Sequence, residues 1–499
     1  MFKKVLIANR GEIAVRVIIA CQELGIKTVS IYSDADKNSP HVHIADEAVC
    51  LGDPTPSESY LNIGKIIDIA KKTNAEAIHP GYGFLAENPD FAKACEDSDI
   101  KFIGPSYKTI NLLGDKIEAK KTMTKAGVPV IPGYHGEKQD TDTLIKEGKK
   151  IGFPLLIKAT AGGGGKGMRI VRSEDDLEQA IEGAKREAKA SFGNESVFIE
   201  KYLNKPRHIE FQILADEHGN IIHLFERECS IQRRHQKIIE ETPSPAMNPK
   251  LRTKMGEAAV KVAEAAGYTN AGTVEFMVDG DLNFYFMEVN TRLQVEHPIT
   301  EMTTGVDIVK WQLRIADGEK LTIKQRDIAQ RGHAIECRIY AEDPSHGFLP
   351  SVGLIKKVEM PIGPNIRNDT GVEANMEISS YYDPLLAKLI VNSENRMESI
   401  RKMIWALSRY VILGVTTNIS FLKQLLEHPE FQKGNITTHF IDDYFKDITT
   451  KTQPSLPLNA IISLAVYDSI HTQRQEVVRF KEADPHSPWR HLGRWRIGV

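Results

Sequence analysis

Four consecutive glycines, residues 162–165, lie between Lys158 and Lys166. Each glycine costs about 0.5–1 kcal/mol of ordering free energy relative to alanine. Such a run makes sense where backbone N–H groups must close over an anion such as phosphate. It is not the common phosphate-binding loop. Gly162 and Gly167 have that spacing, but Met168 follows where that loop needs a lysine. A second group is Glu275 with Glu288 and Asn290. Glu288 and Asn290 share one face of a strand, because side chains alternate with period two. If the register turns Glu275 to that face, two carboxylates oppose each other and repel. Hard cations with oxygen ligands relieve this, and a pair of them about 3.5–4 Å apart suits phosphoryl transfer. The turn between the strands does not by itself settle the register. The run Asn290 to Pro298 supplies Arg292 as a candidate anion clamp and Glu296 as a candidate base. Gln232 to Lys237 is a basic cluster without interleaved aromatics, so it does not read as a nucleic-acid patch.

The elements that must position these groups read as α/β at first. Val5 to Ala8 is a strand and Gly11 to Leu24 a helix with Ile13, Val17 and Ala20 on one stripe. Gly25 stops it, and Thr28 to Tyr32 is the next strand. This βαβ unit predicts a parallel sheet. The link Asn9 to Glu12 lacks the glycine fingerprint of a dinucleotide site, despite Asp34 after the second strand. Helices near 60–72 and 88–97 alternate with strands at 75–79 and 101–103. Strands at 153–159 and 168–171 flank the glycine run, which makes it a hairpin flap. Ser173 is expected to cap a helix with Asp175 and Asp176 in its first turn, and Val197 to Lys201 is a strand. His208, Glu210 and Gln212 alternate with Ile209, Phe211 and Ile213, a sheet with one polar face. Thr273 to Val278 and Phe284 to Asn290 flank Asp279-Gly280-Asp281, a hairpin signal. Helices are expected near 305–316 and 395–407, and a linker begins near 447.

The chain has 499 residues, too many for one core, and a net charge of −3. Nothing in that balance suggests a nucleic-acid surface, and no apolar run reaches the roughly 18 residues of a membrane helix. Five scattered cysteines without a Cys-x-x-Cys pair fit a reducing, cytoplasmic setting, each expected as a small buried hydrophobe.

Several strings resemble the biotin carboxylases of the ATP-grasp superfamily. They are Ile7 to Ala14, His79 to Leu85, Lys158 to Met168, Gln232 to Lys237, Glu288 to Pro298 and Arg331 to Arg338, extended by Tyr382-Asp383 and Gly414 to Asn418. The resemblance covers roughly residues 1–446. It implies an α/β and α+β multidomain fold in five parts. An N-terminal α/β pre-ATP-grasp domain spans 1–113, a linker and ATP-grasp lid 114–203, and an ATP-grasp core with the metal site 204–330. A C-terminal biotin carboxylase domain spans 331–446, and a linker and tail 447–499.

The implied reaction takes bicarbonate, ATP and carrier-bound biotin, through carboxyphosphate, to carboxybiotin, ADP and phosphate. By similarity the nucleotide would meet Lys116, Lys158, Gly163, Gly164, Gly165, Glu200, Lys201, Leu203, His208, Gln232, His235, Glu275 and Glu288. Glu275, Glu288 and Asn290 would hold two Mg²⁺ or Mn²⁺ ions. Arg292, Gln294 and Val295 would bind bicarbonate, with Tyr82 and Arg338 toward biotin. Glu296, Arg292, Arg338 and Lys237 would form the catalytic set. Implied partners are a biotin carboxyl carrier protein or domain, a second copy of the chain in a homodimer, and a carboxyltransferase subunit, with no nucleic acid or membrane. Arg16 and Glu23 match the dimer helix of the family, whereas Ile19 stands where a charged residue is common. The Trp-rich ending resembles acyl-CoA carboxylase α subunits. Another ATP-grasp enzyme, acting on urea or forming carbamoyl phosphate, would differ around Tyr82 and Arg338. A non-catalytic nucleotide binder would lack Glu296 or the metal carboxylates.

Overall fold

A computed structural model describes residues 1–134, 136, 138–159, 168–446, 462–464, 466 and 467. The glycine run 162–165 and the expected linker from 447 lie outside the described residues. The chain divides into two compact units, 1–449 and 450–499. In the second, the described residues are helical.

The N-terminal sheet is parallel, as the βαβ rhythm predicts. Strands β1 (Lys4–Ile7), β2 (Lys27–Ser33), β3 (Glu47–Gly52), β4 (Ala77–His79) and β5 (Lys101–Phe102) lie in the order β3-β2-β1-β4-β5. The edge strand β3 has no counterpart in the sequence reading. Only Leu51 of it is buried, so its pattern carries little apolar signal. Helix Gly11–Glu23 leaves the end of β1 and buries Ile13, Ala14, Val17 and Ala20. Beside it, Asn9 Nδ2 donates to the carbonyls of Pro80 and Tyr82, both at 2.7 Å. Gly81, at φ +63°, lets this happen: a Cβ there would meet Asn9 Nδ2 at 2.9 Å. The two loops at the carboxyl edge of the sheet are thereby locked together, with Tyr82 between them.

The segment expected as a lid forms an antiparallel sheet of β6 (Gly133–Tyr134), β7 (Leu155–Ala159), β8 (Arg169–Val171) and β9 (Val197–Lys201), in the order β6-β9-β7-β8. β7 and β8 pair as Leu155↔Val171 and Ile157↔Arg169, the hairpin expected around the glycine run. The following helix starts at Leu177, later than expected. The Ser173 hydroxyl donates to Asp176 at 2.6 Å rather than capping a backbone N–H.

The largest sheet has eight strands and is antiparallel throughout. It contains β10 (Arg207–Ala215), β11 (Ile221–Arg233), β12 (Gln236–Thr242), β13 (Asn270–Val278), β14 (Phe284–Asn290) and β15 (His333–Tyr340), followed by strands Leu385–Ser393 and Ile366–Thr370. β12 pairs with β15, so one sheet runs unbroken through residues far apart in sequence. Its apolar face holds Ile209, Phe211, Val274 and Phe276. Its other face is polar yet buried: His208, Glu210, Gln212, Thr273 and Glu275 are all at most 5% exposed. A buried polar face needs partners for every group on it, and those partners form the site.

Candidate active site

The register between β13 and β14 decides whether the acidic pair forms. Counting back from the turn, Val278↔Phe284, Met277↔Tyr285 and Phe276↔Phe286 would continue to Glu275↔Met287, which turns Glu288 away. A bulge intervenes, and the observed partner of Glu275 is Glu288, with Thr273 opposite Asn290. One extra residue flips the faces of everything beyond it. β10 continues the row, with Glu210 opposite Glu275, and β11 closes it, with Arg227 opposite Glu210. Glu288, Glu275, Glu210 and Arg227 therefore stand side by side across four strands.

Three carboxylates so placed require positive charge. Lys237, at the start of β12, donates to Glu210 at 2.5 Å, Glu275 at 2.8 Å and Glu296 at 2.6 Å. Burial pulls its ammonium pKa down, but the three carboxylates override this and hold it well above the usual lysine value. Arg227 has a fully buried guanidinium. It donates to Glu210 at 2.6 Å, Gln212 at 2.8 Å, and Thr300 and Thr273 at 3.0 Å each. Arg338, from β15, bridges Glu240 at 2.6 Å and Glu296 at 2.9 Å. Burial pushes the Glu296 carboxyl upward, yet Lys237, Arg338 and Arg227 together hold it well below the carboxylate range. It is an anion at neutral pH.

The next residues form a short relay. Asn290 and Gln294 donate to Glu275 at 2.8 and 3.1 Å. Arg292 donates to Asn290 and Gln294, both at 3.1 Å, and pairs with Glu87 of the N-terminal domain at 3.0 Å. His208 lies 3.0 Å from Glu275 and accepts at Nδ1 from the Gln232 amide at 2.7 Å. Glu288 is held by no hydrogen bond or ion pair among the described residues. Its carboxyl is raised, first by burial and then by Glu275. The donor set fits a hard cation: an oxygen ligand without a cationic partner faces a second carboxylate and an amide. Among the described residues, two other clusters have metal-like spacing, His208 with Glu210 and Glu275, and Glu210 with Cys229 and Glu296. Both are already served by the Lys237 ammonium, which leaves no need for an ion there.

A cleft of about 810 Å³ opens onto these groups. Its lining includes Lys116, His208, Gln232, His235 and Glu288 as well as Arg292, Gln294, Val295, Arg338 and Tyr82. Glu296 is wholly buried behind Lys237 and Arg338. Lys158, Glu200, Lys201 and Leu203 do not line this cleft. Glu200 on β9 is paired with Lys120 and with Lys158, the latter at 3.0 Å. The Lys201 ammonium turns into the lid, donating to the carbonyls of Gly152 at 3.0 Å and Phe153 at 2.8 Å. Leu203 is half-buried after β9. Gly163, Gly164 and Gly165 lie outside the described residues. Sequence reasoning gave no role to Glu210, Arg227, Glu240 or Glu87. Glu210 was detectable as a charged residue on a strand face otherwise too polar to be bare, whereas Arg227 carries no local signal.

Three family models match in succession. The biotin carboxylase N-terminal domain matches at residues 1–110, the ATP-binding domain of the carbamoyl-phosphate synthase L chain at 115–324, and the biotin carboxylase C-terminal domain at 336–443. A pyruvate carboxylase subunit of Methanothermobacter thermautotrophicus is 56% identical over 449 residues, covering 90% of this chain and 91% of that protein. This chain belongs to the biotin carboxylase family. The biotin carboxylase of Nostoc is 54% identical over 445 residues, 89% of this chain and 100% of that one. The alpha subunit of the mitochondrial methylcrotonoyl-CoA carboxylase of Dictyostelium discoideum is 52% identical over 495 residues, 99% of this chain and 70% of that protein. Among solved biotin carboxylases, the domain dimer of Hydrogenobacter thermophilus 2-oxoglutarate carboxylase, in complex with MgADP, ADP and bicarbonate, superposes with a TM-score of 0.85. It is 49% identical, covering 91% of this chain and 100% of that one.

Of the five cysteines, Cys21, Cys95, Cys229 and Cys337 are buried as expected, and Cys50 is exposed; all are free thiols. Arg16 and Glu23, the expected dimer-helix residues, are engaged within the chain. Arg16 pairs with Glu301 and Asp307, and Glu23 with Lys310. Ile19 between them is exposed. No helix among the described residues is long and apolar enough to cross a membrane.

Proposed function

We propose the following roles in the ATP-dependent carboxylation of biotin, the first half-reaction of a biotin-dependent carboxylase. Lys116, His208, Gln232 and His235, with Lys158, Glu200, Lys201, Leu203 and the glycines 163–165 of the lid, surround the nucleotide. Glu275, Glu288 and Asn290 would hold two Mg²⁺ or Mn²⁺ ions, whose charge offsets that of the phosphates. Arg292 and Gln294, with the Val295 backbone, bind bicarbonate; a guanidinium fork matches its planar oxygens better than an ammonium does.

Glu296 accepts the bicarbonate proton. A bicarbonate oxygen attacks the γ-phosphorus, the bond to ADP breaks, and carboxyphosphate forms. Lys237 stands next to this transfer. As it turns toward phosphate oxygens, Glu296 loses a stabilising partner and becomes a stronger base. Carboxyphosphate divides into CO₂ and phosphate. The phosphate removes the ureido proton of biotin, and Arg338 stabilises the resulting enolate while its nitrogen attacks CO₂. Tyr82 shapes the biotin wall. Such an intermediate hydrolyses in water, which is what a closing lid prevents.

The observation that carries this reading is Lys237, held by Glu210, Glu275 and Glu296 from three separate elements. That arrangement joins the acidic pair to the base, and phosphoryl transfer depends mainly on such positioning and charge. The test is ADP release that requires bicarbonate and is stimulated by free biotin. Glu296→Gln should abolish it. Turnover with ammonia or urea and none with biotin would overturn the reading.

We extend the proposal to a biotinylated carrier, a homodimer and a carboxyltransferase subunit, on the likeness to named carboxylase subunits and to a solved domain dimer. The division at 113, 203, 330 and 446, and a cytoplasmic location, belong to the same proposal. The acyl acceptor follows from the partner: relatives include both pyruvate and methylcrotonoyl-CoA carboxylase subunits.

A further inference from the structure

Residues 291–296, which carry Arg292, Gln294 and Glu296, belong to neither a helix nor a strand. Their backbone is not held by ladder bonds, so other groups must fix it. The Gln294 carbonyl is met by His297 Nδ1 at 2.8 Å. The Val295 carbonyl accepts from Lys388 Nζ at 2.8 Å. Lys388 lies on strand Leu385–Ser393, between Arg338 and Asp369 on the neighbouring strands. It is 0% exposed.

A fully buried ammonium is costly unless its charge and its donors are all used. Here Glu12, in the first turn of helix Gly11–Glu23, lies 3.3 Å away, and Asp369 lies 3.7 Å away. Asp369 is itself gripped by Arg367 at 2.7 and 2.8 Å. The Tyr82 ring stands 5.7 Å from Lys388 Nζ. The ammonium thus ties the N-terminal helix and the C-terminal strands to one carbonyl of the loop between them. Because the peptide unit is planar, holding the Val295 carbonyl sets the plane of the peptide that leads into Glu296.

We propose that Lys388 is a positioning residue for Glu296, fixing the approach of that carboxylate to bicarbonate through the Val295 carbonyl. The inference rests on the base role assigned to Glu296 above. A displacement near 1 Å at a reacting group costs about 10²-fold in rate, so the effect belongs in kcat rather than in nucleotide affinity.

Lys388→Met would leave the buried Glu12 without its ion-pair partner, while Asp369 keeps Arg367, and that variant can fail to fold. The double variant Lys388→Met/Glu12→Gln removes that unpaired charge, with Glu12→Gln alone as its baseline. The measurements are bicarbonate-dependent ADP release, KM for ATP, and the thermal midpoint, with Glu296→Gln assayed in parallel. The expected result for the double variant is a kcat lower by about tenfold or more, a KM for ATP within about twofold, and an unchanged midpoint, all against the baseline. A kcat within about twofold of the baseline overturns the inference. So does a uniform loss across ATP, bicarbonate and biotin that follows a lowered midpoint. If Glu296→Gln is inactive and the double variant is not, the inference fails alone. If Glu296→Gln keeps bicarbonate-dependent turnover, the base assignment fails with it.

Discussion

Replacing Lys237 with methionine tests the centre of the site. The substitution keeps the length of the side chain and removes an ammonium that donates to Glu210, Glu275 and Glu296 at 2.5–2.8 Å. Glu275 retains His208, Asn290 and Gln294, and Glu296 retains Arg338. Glu210 keeps Arg227 at 2.6 Å and, more distantly, His208 at 4.0 Å. Glu210 and Glu296 already repel each other strongly enough that the Glu210 carboxyl is raised, first by burial and then by Glu296. Without the ammonium the two cannot both stay ionised near neutrality, and one takes up a proton; such neighbours typically shift a buried carboxyl by about 1–3 units.

Two effects on rate follow. A preorganised cation beside a transferring phosphoryl group is worth about 10²–10³ in kcat, and kcat should fall by that factor. The acid limb of the pH profile of kcat/KM should also move upward, because Glu296 loses the first of the cations that hold its carboxyl down. The assay is bicarbonate-dependent ADP release from pH 5.5 to 9, roughly the span over which such a limb would travel. A kcat within about tenfold of the unsubstituted enzyme, or an acid limb that stays in place, would refute the reasoning.

Three further outcomes are expected. Glu288→Gln should raise the Mg²⁺ concentration needed for half-maximal turnover by about tenfold or more, since one charged oxygen ligand is lost; an unchanged titration would remove Glu288 from the metal set. Arg338→Gln should retain part of the bicarbonate-dependent ATP cleavage while carboxybiotin formation falls by about 10²-fold, so the ratio of ADP to carboxybiotin is the readout. Glu241 is held by His333 at 2.7 Å and by Arg396 at 2.7 and 2.9 Å. Burial opposes its ionisation, but these partners lower its carboxyl from the usual 4.5 to about 2. That contribution to stability is complete above about pH 4.5 and fades as pH falls toward about 2. Arg396→Met should therefore cost about 3–5 kcal/mol near neutrality and shift the acid-unfolding midpoint to higher pH in circular dichroism.

How far the sequence revealed this site depends on the range of the force that places each residue. Four of the five strands of the N-terminal sheet, all but β3, were legible because a βαβ crossover is a local object: an apolar run, an amphipathic helix stopped by Gly25, and another apolar run. The flap hairpin was legible for the same reason: β7 and β8 are consecutive strands that pair with each other. Ser173 misled because its hydroxyl finds the Asp176 carboxylate in place of a helical N–H, a local competition that composition does not decide. The Glu275 and Glu288 pairing stayed open because it turns on one bulged residue in β14, and a bulge is fixed by what packs on both faces of the sheet. Arg227 and Glu240 escaped notice because partners such as Thr300 and Arg338 lie 73 and 98 positions away, and Glu210 because the cations it meets come from two different strands. Lys388 illustrates the limit: it lies 93 positions from the carbonyl it holds. Its sequence context, Leu-Leu-Ala-Lys-Leu-Ile-Val, is that of a buried strand, where a lysine looks like an error. The fold turns it into the point where helix Gly11–Glu23, the loop carrying Glu296 and the C-terminal strands meet. A lysine in the middle of an apolar strand therefore has a readable meaning once the sheet is known: three segments must supply it with acceptors, and whichever of them lacks regular structure is the one it holds in place.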